Sequence, residues 1–419
     1  MSESLYWTWL SVKLGPASPY FKSLLIKYPS PKEIFDATAS EISSLDKIPE
    51  SVKVRLADKS LDRAQHILEK CKALGIGIMT YDDPRYPRIL KYIDKPPAVL
   101  YFKGKPVDFD KRLCVSMVGT RSMSDYGREM AYKFSYELAS AGALIVSGMA
   151  LGCDGMSAAG ALDAQAETVA VLGGGVDVVY PKVHKKLYDA ILKNGLLLSE
   201  YPPGAEPDAA HFPQRNRIIS GLTRCTLVVE SPESGGSLIT ARYAASEGRP
   251  LFAIPGAVDM ENSVGSNNLI KNGAHIATSS FDIIDAFESA SFEMLDSSAI
   301  GAMHYDSKKA ANRYGVESKK DKKKVVRIAS SKNKDDLEDS LPASSLGMEN
   351  EQKSAQREFV TMSEGEKAVY DCIPEEGEAS LELIIAASGQ NVADVTMHLL
   401  SLNIKKVITE LPGGRYRRV

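Results

Sequence analysis

Leu113-Cys114-Val115-Ser116-Met117-Val118-Gly119-Thr120-Arg121 is the stretch on which the fold turns. Its first six residues are a mostly apolar run suited to a buried strand, and the break into glycine, hydroxyl and guanidinium marks the strand's carboxyl end. The arrangement recurs along the chain. Strand-like runs over 144–147, 168–172, 196–199, 226–230 and 251–254 alternate with stretches long enough for helices, and further breaks read Ser147-Gly148, Gly173-Gly174-Gly175 and Ser234-Gly235-Gly236-Ser237. Such alternation implies right-handed crossovers and a parallel sheet covered on both faces, an α/β fold. Open sheets of this kind bind ligands outside their strand carboxyl ends, so the small and basic residues there read as a phosphate-gripping surface.

The totals set limits. At 419 residues the chain exceeds one ordinary core, which predicts two or three domains. A formal net charge of −3 gives no general affinity for nucleic acid, so any such case rests on local basic clusters. Five cysteines, odd in number, scattered and without a CxxC pair, fit buried reduced thiols. With no signal-peptide pattern and no apolar run of roughly 18 residues, the expected location is the cytoplasm and no membrane partner is expected.

The flanks read differently from the centre. Apolar residues at helical spacing (Tyr20, Leu24, Leu25, then Ile34, Phe35, then Ile42, Leu45, Ile48), interrupted by Pro16, Pro29, Pro31 and Pro49, predict short helices joined by tight turns. Residues 86–104 read as a tether ending in an edge strand. After about residue 289 the composition shifts to Ser, Lys, Asp and Glu, including Lys319-Lys320-Asp321-Lys322-Lys323-Lys324, which cannot bury enough surface to offset its ordering entropy. Order resumes near 361 with amphipathic segments at 366–372, 380–387 and 392–402, then 406–411, the turn Pro412-Gly413-Gly414 and 415–419, the pattern of a winged helix.

Four stretches carry the chemistry. Gly119-Thr120-Arg121 lies between a strand and a helix start marked by Ser124 and Asp125, where glycine admits close backbone approach and arginine offers a fork for phosphate oxygens. The segment 212–222 puts Arg215, Asn216 and Arg217 near another helix start. Gly235, Gly236, Ser237 and Thr240 follow a strand and suit an anion-binding nest. Pro181-Lys182-Val183-His184-Lys185-Lys186-Leu187, between Tyr180 and Tyr188, interleaves basic and aromatic residues as single-strand binders do, although an ordinary amphipathic helix with a core tyrosine fits equally well. Bland readings stay open for the others too: a tight turn with a solvated arginine, a salt-bridged face, a flexible loop. The six histidines show no HxxxH or HExxH spacing, so no metal site is expected, and Asp154, Asp177 and Glu230 lack a partner base or nucleophile.

Val118-Gly119-Thr120-Arg121, Ser147-Gly148, Ala170-Val171-Leu172-Gly173, Tyr180-Pro181, residues 212–222, Ser237-Leu238-Ile239-Thr240-Ala241 and Gly248-Arg249-Pro250 together resemble the DNA-processing protein A family, also called Smf, over roughly residues 86–285. The resemblance implies a Rossmann-like domain over 79–289 that binds single-stranded DNA, between a small N-terminal helical (SAM-like) domain over 1–78 and, beyond a disordered linker over 290–358, a C-terminal winged helix over 359–419. It further implies protection of incoming DNA, loading of a RecA-type recombinase during natural transformation and recombination, a homodimer, no enzyme activity and no cofactor. Carried over by position, its DNA contacts fall on Arg121, Ser147, Gly148, Lys185, Tyr188, Arg215, Asn216 and Arg217, with Gly235, Gly236 and Ser237 as pocket floor. Leu151, Ala158 and His184 depart from the family's usual Arg, His and Asn.

Two other classes compete. Nucleotide phosphoribohydrolases of the lysine-decarboxylase-like superfamily share such a sheet but need a catalytic Glu close after the glycine loop, and here the nearest acid is Glu247. A duplex reader would use the winged helix, whose segment 392–402 carries only His398 as a cationic contact.

Overall fold

The structure, a computed structural model, describes residues 3–287, 290, 292, 295–301, 306–316 and, within 364–418, all but 376, 391, 405, 406 and 412–414. These residues form two compact units on either side of the undescribed stretch 317–363.

The first unit begins with six short helices, α1 (Glu3–Leu14), α2 (Phe21–Lys27), α3 (Pro31–Asp36), α4 (Ala39–Ser43), α5 (Glu50–Ala57) and α6 (Asp62–Leu74). Local chemistry sets their ends. Ser30 caps α3 ahead of Pro31, Thr38 and Glu41 form a reciprocal capping box on α4, and Gly75 closes α6 at a φ of 61°. These helices pack into the same unit as the sheet rather than standing apart from it: the rings of Trp7 and Phe21 lie 6.1 and 5.1 Å from that of Tyr81.

Nine strands follow: β1 (Gly77–Thr80), β2 (Val99–Gly104), β3 (Cys114–Val118), β4 (Leu144–Ser147), β5 (Thr168–Val171), β6 (Leu196–Ser199), β7 (Cys225–Val228), β8 (Leu251–Ala253) and β9 (His275–Ile276). Their order across the sheet is β1-β2-β6-β5-β4-β3-β7-β8-β9, parallel from β6 to β9, with β2 antiparallel to β6 and β1 antiparallel to β2. Six strands fall where the apolar runs predict them, within one or two residues. Strand β2 is not an edge, because the short β1, directly after α6, pairs outside it.

The central strands are buried on both faces, and alternate residues feed two cores. Val115, Met117 and Ile145 join α7 (Asp125–Ser140), α8 (Cys153–Asp163) and α9 (Lys185–Asn194) on one face. Cys114, Val118, Leu144 and Val146 meet α10 (His211–Gly221) and α11 (Ser237–Ser246) on the other. From β3 the chain steps outward through β4, β5 and β6, then returns to lay β7 on the opposite side of β3. That reversal opens a crevice at the carboxyl ends of β3 and β7, where open α/β sheets place ligands.

Past α12 (Val264–Lys271), β9 and α13 (Phe281–Asp285), part of the expected linker is ordered, which corrects that reading for residues 306–316. Helix α14 (Ser307–Tyr314) buries Ala310, and Val316 beyond it is buried too. Arg313 pairs with Asp163, which also accepts the hydroxyls of Tyr132 and Tyr314 at 2.9 and 2.8 Å. Composition concealed this because very few residues provide the burial. Residues 317–358 lie outside the described ones.

The second unit contains helices Glu364–Asp371, Leu381–Ser388 and Val392–Ile404 and a three-stranded antiparallel sheet ordered β10 (Ala379–Ser380), β12 (Arg415–Arg418), β11 (Ile408–Leu411). Val369, Ile384, Val395, Leu399, Ile408 and Tyr416 form its core. The expected turn at 412–414 lies outside the described residues.

Candidate nucleic-acid interface

The crevice walls are tied together at their base. The Thr120 N–H donates to the Glu230 carbonyl at 2.7 Å, while the Glu230 carboxylate accepts the Ser124 N–H at 2.9 Å and its hydroxyl at 2.7 Å. Glu230 therefore holds Ser124, whose hydroxyl caps α7 by accepting the Gly127 N–H at 3.0 Å, rather than facing a ligand. At Gly119 an added Cβ would stand 2.6 Å from Cys153 Sγ and 3.0 Å from the Glu230 carbonyl, so only glycine fits. Above this base lies a cleft of about 560 Å³, with Gly119, Thr120 and Arg121 on one wall, Gly235, Gly236, Ser237 and Thr240 on the other, and Phe212, Arg215 and Asn216 contributed by α10. Helices α8, α10 and α11 start beside it from Gly152, Ala210 and Gly236, none with a side-chain cap. Helix starts present N–H donors and the positive end of the helix dipole, which favours an anion here.

Fixed cations add to that field. Arg121 is half-buried, its guanidinium 5.1 Å over the ring of Phe212. Arg215 lies beneath the cleft floor, and its Nη1 donates to the Gly148 carbonyl at 2.8 Å and to that of Val171, stitching the ends of β4 and β5 to α10. Burial pulls its pKa down to about 10, which leaves it protonated at neutral pH. Asp154 is buried close by and accepts the Ala150 N–H at 3.4 Å; burial raises its pKa against the opposing pull of Arg215 and Arg121. A second cavity of about 360 Å³ continues past Phe212, lined by Leu151, Leu172, Gly173, Tyr180, Pro181 and Lys182. The Tyr180 and Phe212 rings lie 5.4 Å apart across the junction.

The structure thus gathers Gly119, Thr120, Arg121, Arg215, Asn216, Gly235, Gly236, Ser237 and Thr240 around one cleft, with Gly148 in the adjoining cavity. Four expected contacts are not among them. Ser147 is buried and donates its hydroxyl to the Met117 carbonyl at 2.7 Å. Tyr188 packs on the buried side of α9 and donates to the Val176 carbonyl at 2.7 Å, which is the core-tyrosine reading of that helix. Lys185 is exposed, 2.5 Å from Asp189 one turn along α9. Arg217, expected to hold phosphate, is 2% exposed and paired with Glu200 at 2.5 Å.

A usable signal lay in the spacing. Residues two apart on a helix point to nearly opposite sides, about 200° apart, so Arg215 and Arg217 cannot share a groove. Of the interleaved basic and aromatic stretch, Tyr180, Pro181 and Lys182 line the second cavity, whereas Phe212, which lines both cavities, carries no local signal because nothing in the sequence distinguishes a lining ring from a core ring. Of the three departures, Leu151 lines the second cavity, Ala158 is buried in α8, and His184 is buried with Nδ1 3.1 Å from the Met149 carbonyl.

Glu247, the first acid after the glycine loop, lies beyond the far end of α11, with a carboxylate oxygen 2.9 Å from Arg249 Nε. Burial pushes its pKa from 4.5 up to about 7. A carboxyl raised on folding binds more protons when folded, so its contribution is most favourable below about 4.5 and worsens as pH climbs through 7. Between pH 5 and 8 the thermal midpoint of the unsubstituted protein should fall relative to that of Glu247→Gln. Parallel curves would show that this carboxyl is not the titrating group.

Among the described residues no group of three His, Cys, Asp or Glu side chains is placed to hold a metal, and no helix is long and apolar enough to cross a membrane. Residues 77–288 match the family model for DNA recombination-mediator protein A. The DNA processing protein DprA of Bacillus subtilis is 36% identical over 265 residues, covering 63% of this chain and 89% of that protein. Protein Smf of Synechocystis is 42% identical over 218 residues, which span 51% of this chain and only 54% of that relative. The X-ray structure of DNA processing protein A from Streptococcus pneumoniae superposes with a TM-score of 0.59 at 33% identity, covering 68% of this chain and 98% of that one.

Proposed function

The chain belongs to the DNA recombination-mediator protein A family, and from that premise we propose that it binds single-stranded DNA in the cleft between β3 and β7. The observation that carries this reading is the convergence of Arg121, the buried Arg215 and three helix starts without side-chain caps on one crevice. Phosphates lie against the helix starts and the Arg121 fork, and Phe212 and Tyr180 offer ring faces to bases, a combination that tolerates any sequence and weakens with salt. The protein acts as a binder rather than a catalyst: Asp154 at the cleft is buried and accepts the Ala150 N–H under the pull of Arg215, Asp177 accepts the Gly204 N–H at 2.8 Å, Glu230 holds the Ser124 cap of α7, and Glu247 lies outside the cleft lining. In the cytoplasm, as a homodimer, it protects incoming strands and passes them to a RecA-type recombinase in transformation and recombination. The second unit is a winged helix, and its third helix, Val392–Ile404, is too poor in cations to read a duplex groove.

A mobility-shift titration with single- and double-stranded oligonucleotides of one sequence tests this. The single strand should bind more tightly, with affinity falling as salt rises, and nucleoside monophosphates should remain chemically unchanged on incubation. Tighter duplex binding would transfer the activity to another surface, and release of free base would make the protein an enzyme. A chain ending at residue 316 should keep most of the affinity for oligothymidine. Loss of binding there would put the main site in the second unit.

A further inference from the structure

Arg217 stands two residues from the cleft floor yet turns its guanidinium away from it, into the protein. We propose that Arg217 is a positioning residue: its buried pair with Glu200 fixes the α10 wall of the cleft and ties that wall to the N-terminal helices. The proposal rests on the cleft being where the strand binds.

The geometry gives each half of the tie. The two side chains are 3% and 6% exposed and 2.5 Å apart. Glu200 directly follows β6, so the pair links the rear of α10 to a strand end on the far side of β4 and β5. The other Glu200 oxygen accepts the Ala17 N–H at 3.3 Å, from the turn between α1 and α2. Ala17 adopts a φ of 53°, an unfavourable region for a residue with a Cβ, so this turn is held by its surroundings. Lys70 of α6 grips the same segment by donating to the Pro203 carbonyl at 3.1 Å. The N-terminal helices thus hold residues 200–203 at two points, and Arg217 relays that hold to the helix whose first turn carries Phe212, Arg215 and Asn216. No cleft-lining position falls to Arg217, and its Nε and Nη1 are buried without a hydrogen-bond partner, so Glu200 is its direct ion-pair partner, with the Glu247 carboxyl feeling its charge from farther off. Removing one member of such a pair strands the other's charge, whereas removing both relieves it.

The test uses the full-length protein and the variants Arg217→Met, Glu200→Met and the double substitution, read by oligothymidine affinity across a salt series and by hydrogen exchange of residues 211–216. Arg217→Met should bind about tenfold more weakly with the salt slope unchanged, exchange faster at 211–216, and recover part of both losses when Glu200→Met is added, because the stranded carboxylate is then gone while the tie stays broken. A phosphate contact would instead lower the slope by about 0.7, and no partner substitution inside the protein would restore it. A lowered slope, or a folded double variant no better than Arg217→Met, overturns the proposal. If Arg217→Met does not fold, Glu200→Gln carries the same test, since it keeps the shape and removes the compensating charge. If the unsubstituted protein fails to bind oligothymidine, the reading of the cleft falls, while the exchange measurement still decides whether the pair holds α10.

Discussion

Arg121→Ala should weaken binding to an oligothymidine by roughly 10- to 100-fold and lower the salt slope of its affinity by about 0.7. Arg121 is the half-exposed cation of the cleft wall, whereas Arg215 beneath it spends its Nη1 on two carbonyls. Stacking over Phe212 holds the Arg121 guanidinium in place before a ligand arrives, so less freedom is lost when it grips a phosphate. A charge-assisted hydrogen bond contributes about 1.5–3 kcal/mol, which gives the stated range at one decade per 1.4 kcal/mol. Arg121→Lys separates charge from shape: the slope should survive, while affinity falls by less than in the alanine variant because the fork and the stacking are gone. Fluorescence anisotropy across a salt series measures both numbers. A folded Arg121→Ala protein with unchanged affinity would remove this cleft from DNA binding.

The sheet was legible because burial on both faces leaves a plain mark: short apolar runs ending in glycine or hydroxyl residues. Six strands follow from it, and so does the edge on which the cleft opens. The runs do not carry the order of the strands. That β7 returns to the other side of β3, which makes the crevice, is a property of crossovers and not of any local residue. Helix α14 escaped because its Lys, Asn and Arg residues dominate the composition while Ala310 alone in the helix is fully buried. Within the site, glycines were easier to place than charges. Gly119 and Gly235 face backbone and short side chains that fix where they sit, but Arg217 could be sent outward by type and inward by phase, and phase prevailed because Glu200 waits inside. Residue type names a candidate contact; helical angle and a buried counter-charge decide whether it reaches solvent.

Gly148→Ala should damage both stability and binding, through Arg215. A Cβ at residue 148 would stand 2.5 Å from Arg215 Cζ, well inside contact distance. The guanidinium has little freedom to retreat, since the same Nη1 holds the carbonyls of Gly148 and Val171 and the side chain is buried. Moving it leaves carbonyls at the ends of β4 and β5 without that donor, at a cost of about 1–3 kcal/mol, which corresponds to a drop of roughly 2–5 °C in thermal midpoint. Affinity for oligothymidine should fall at least about tenfold, because a displacement near 1 Å in a preorganised site has effects of that size or larger. Arg215→Met added to Gly148→Ala separates the two consequences. The more flexible methionine relieves the clash and should recover part of the lost stability, but affinity should stay low, because the cleft has now lost its buried positive charge. Full return of binding in that double variant would make Arg215 a strut between strand ends and leave Arg121 with the helix starts to hold the strand.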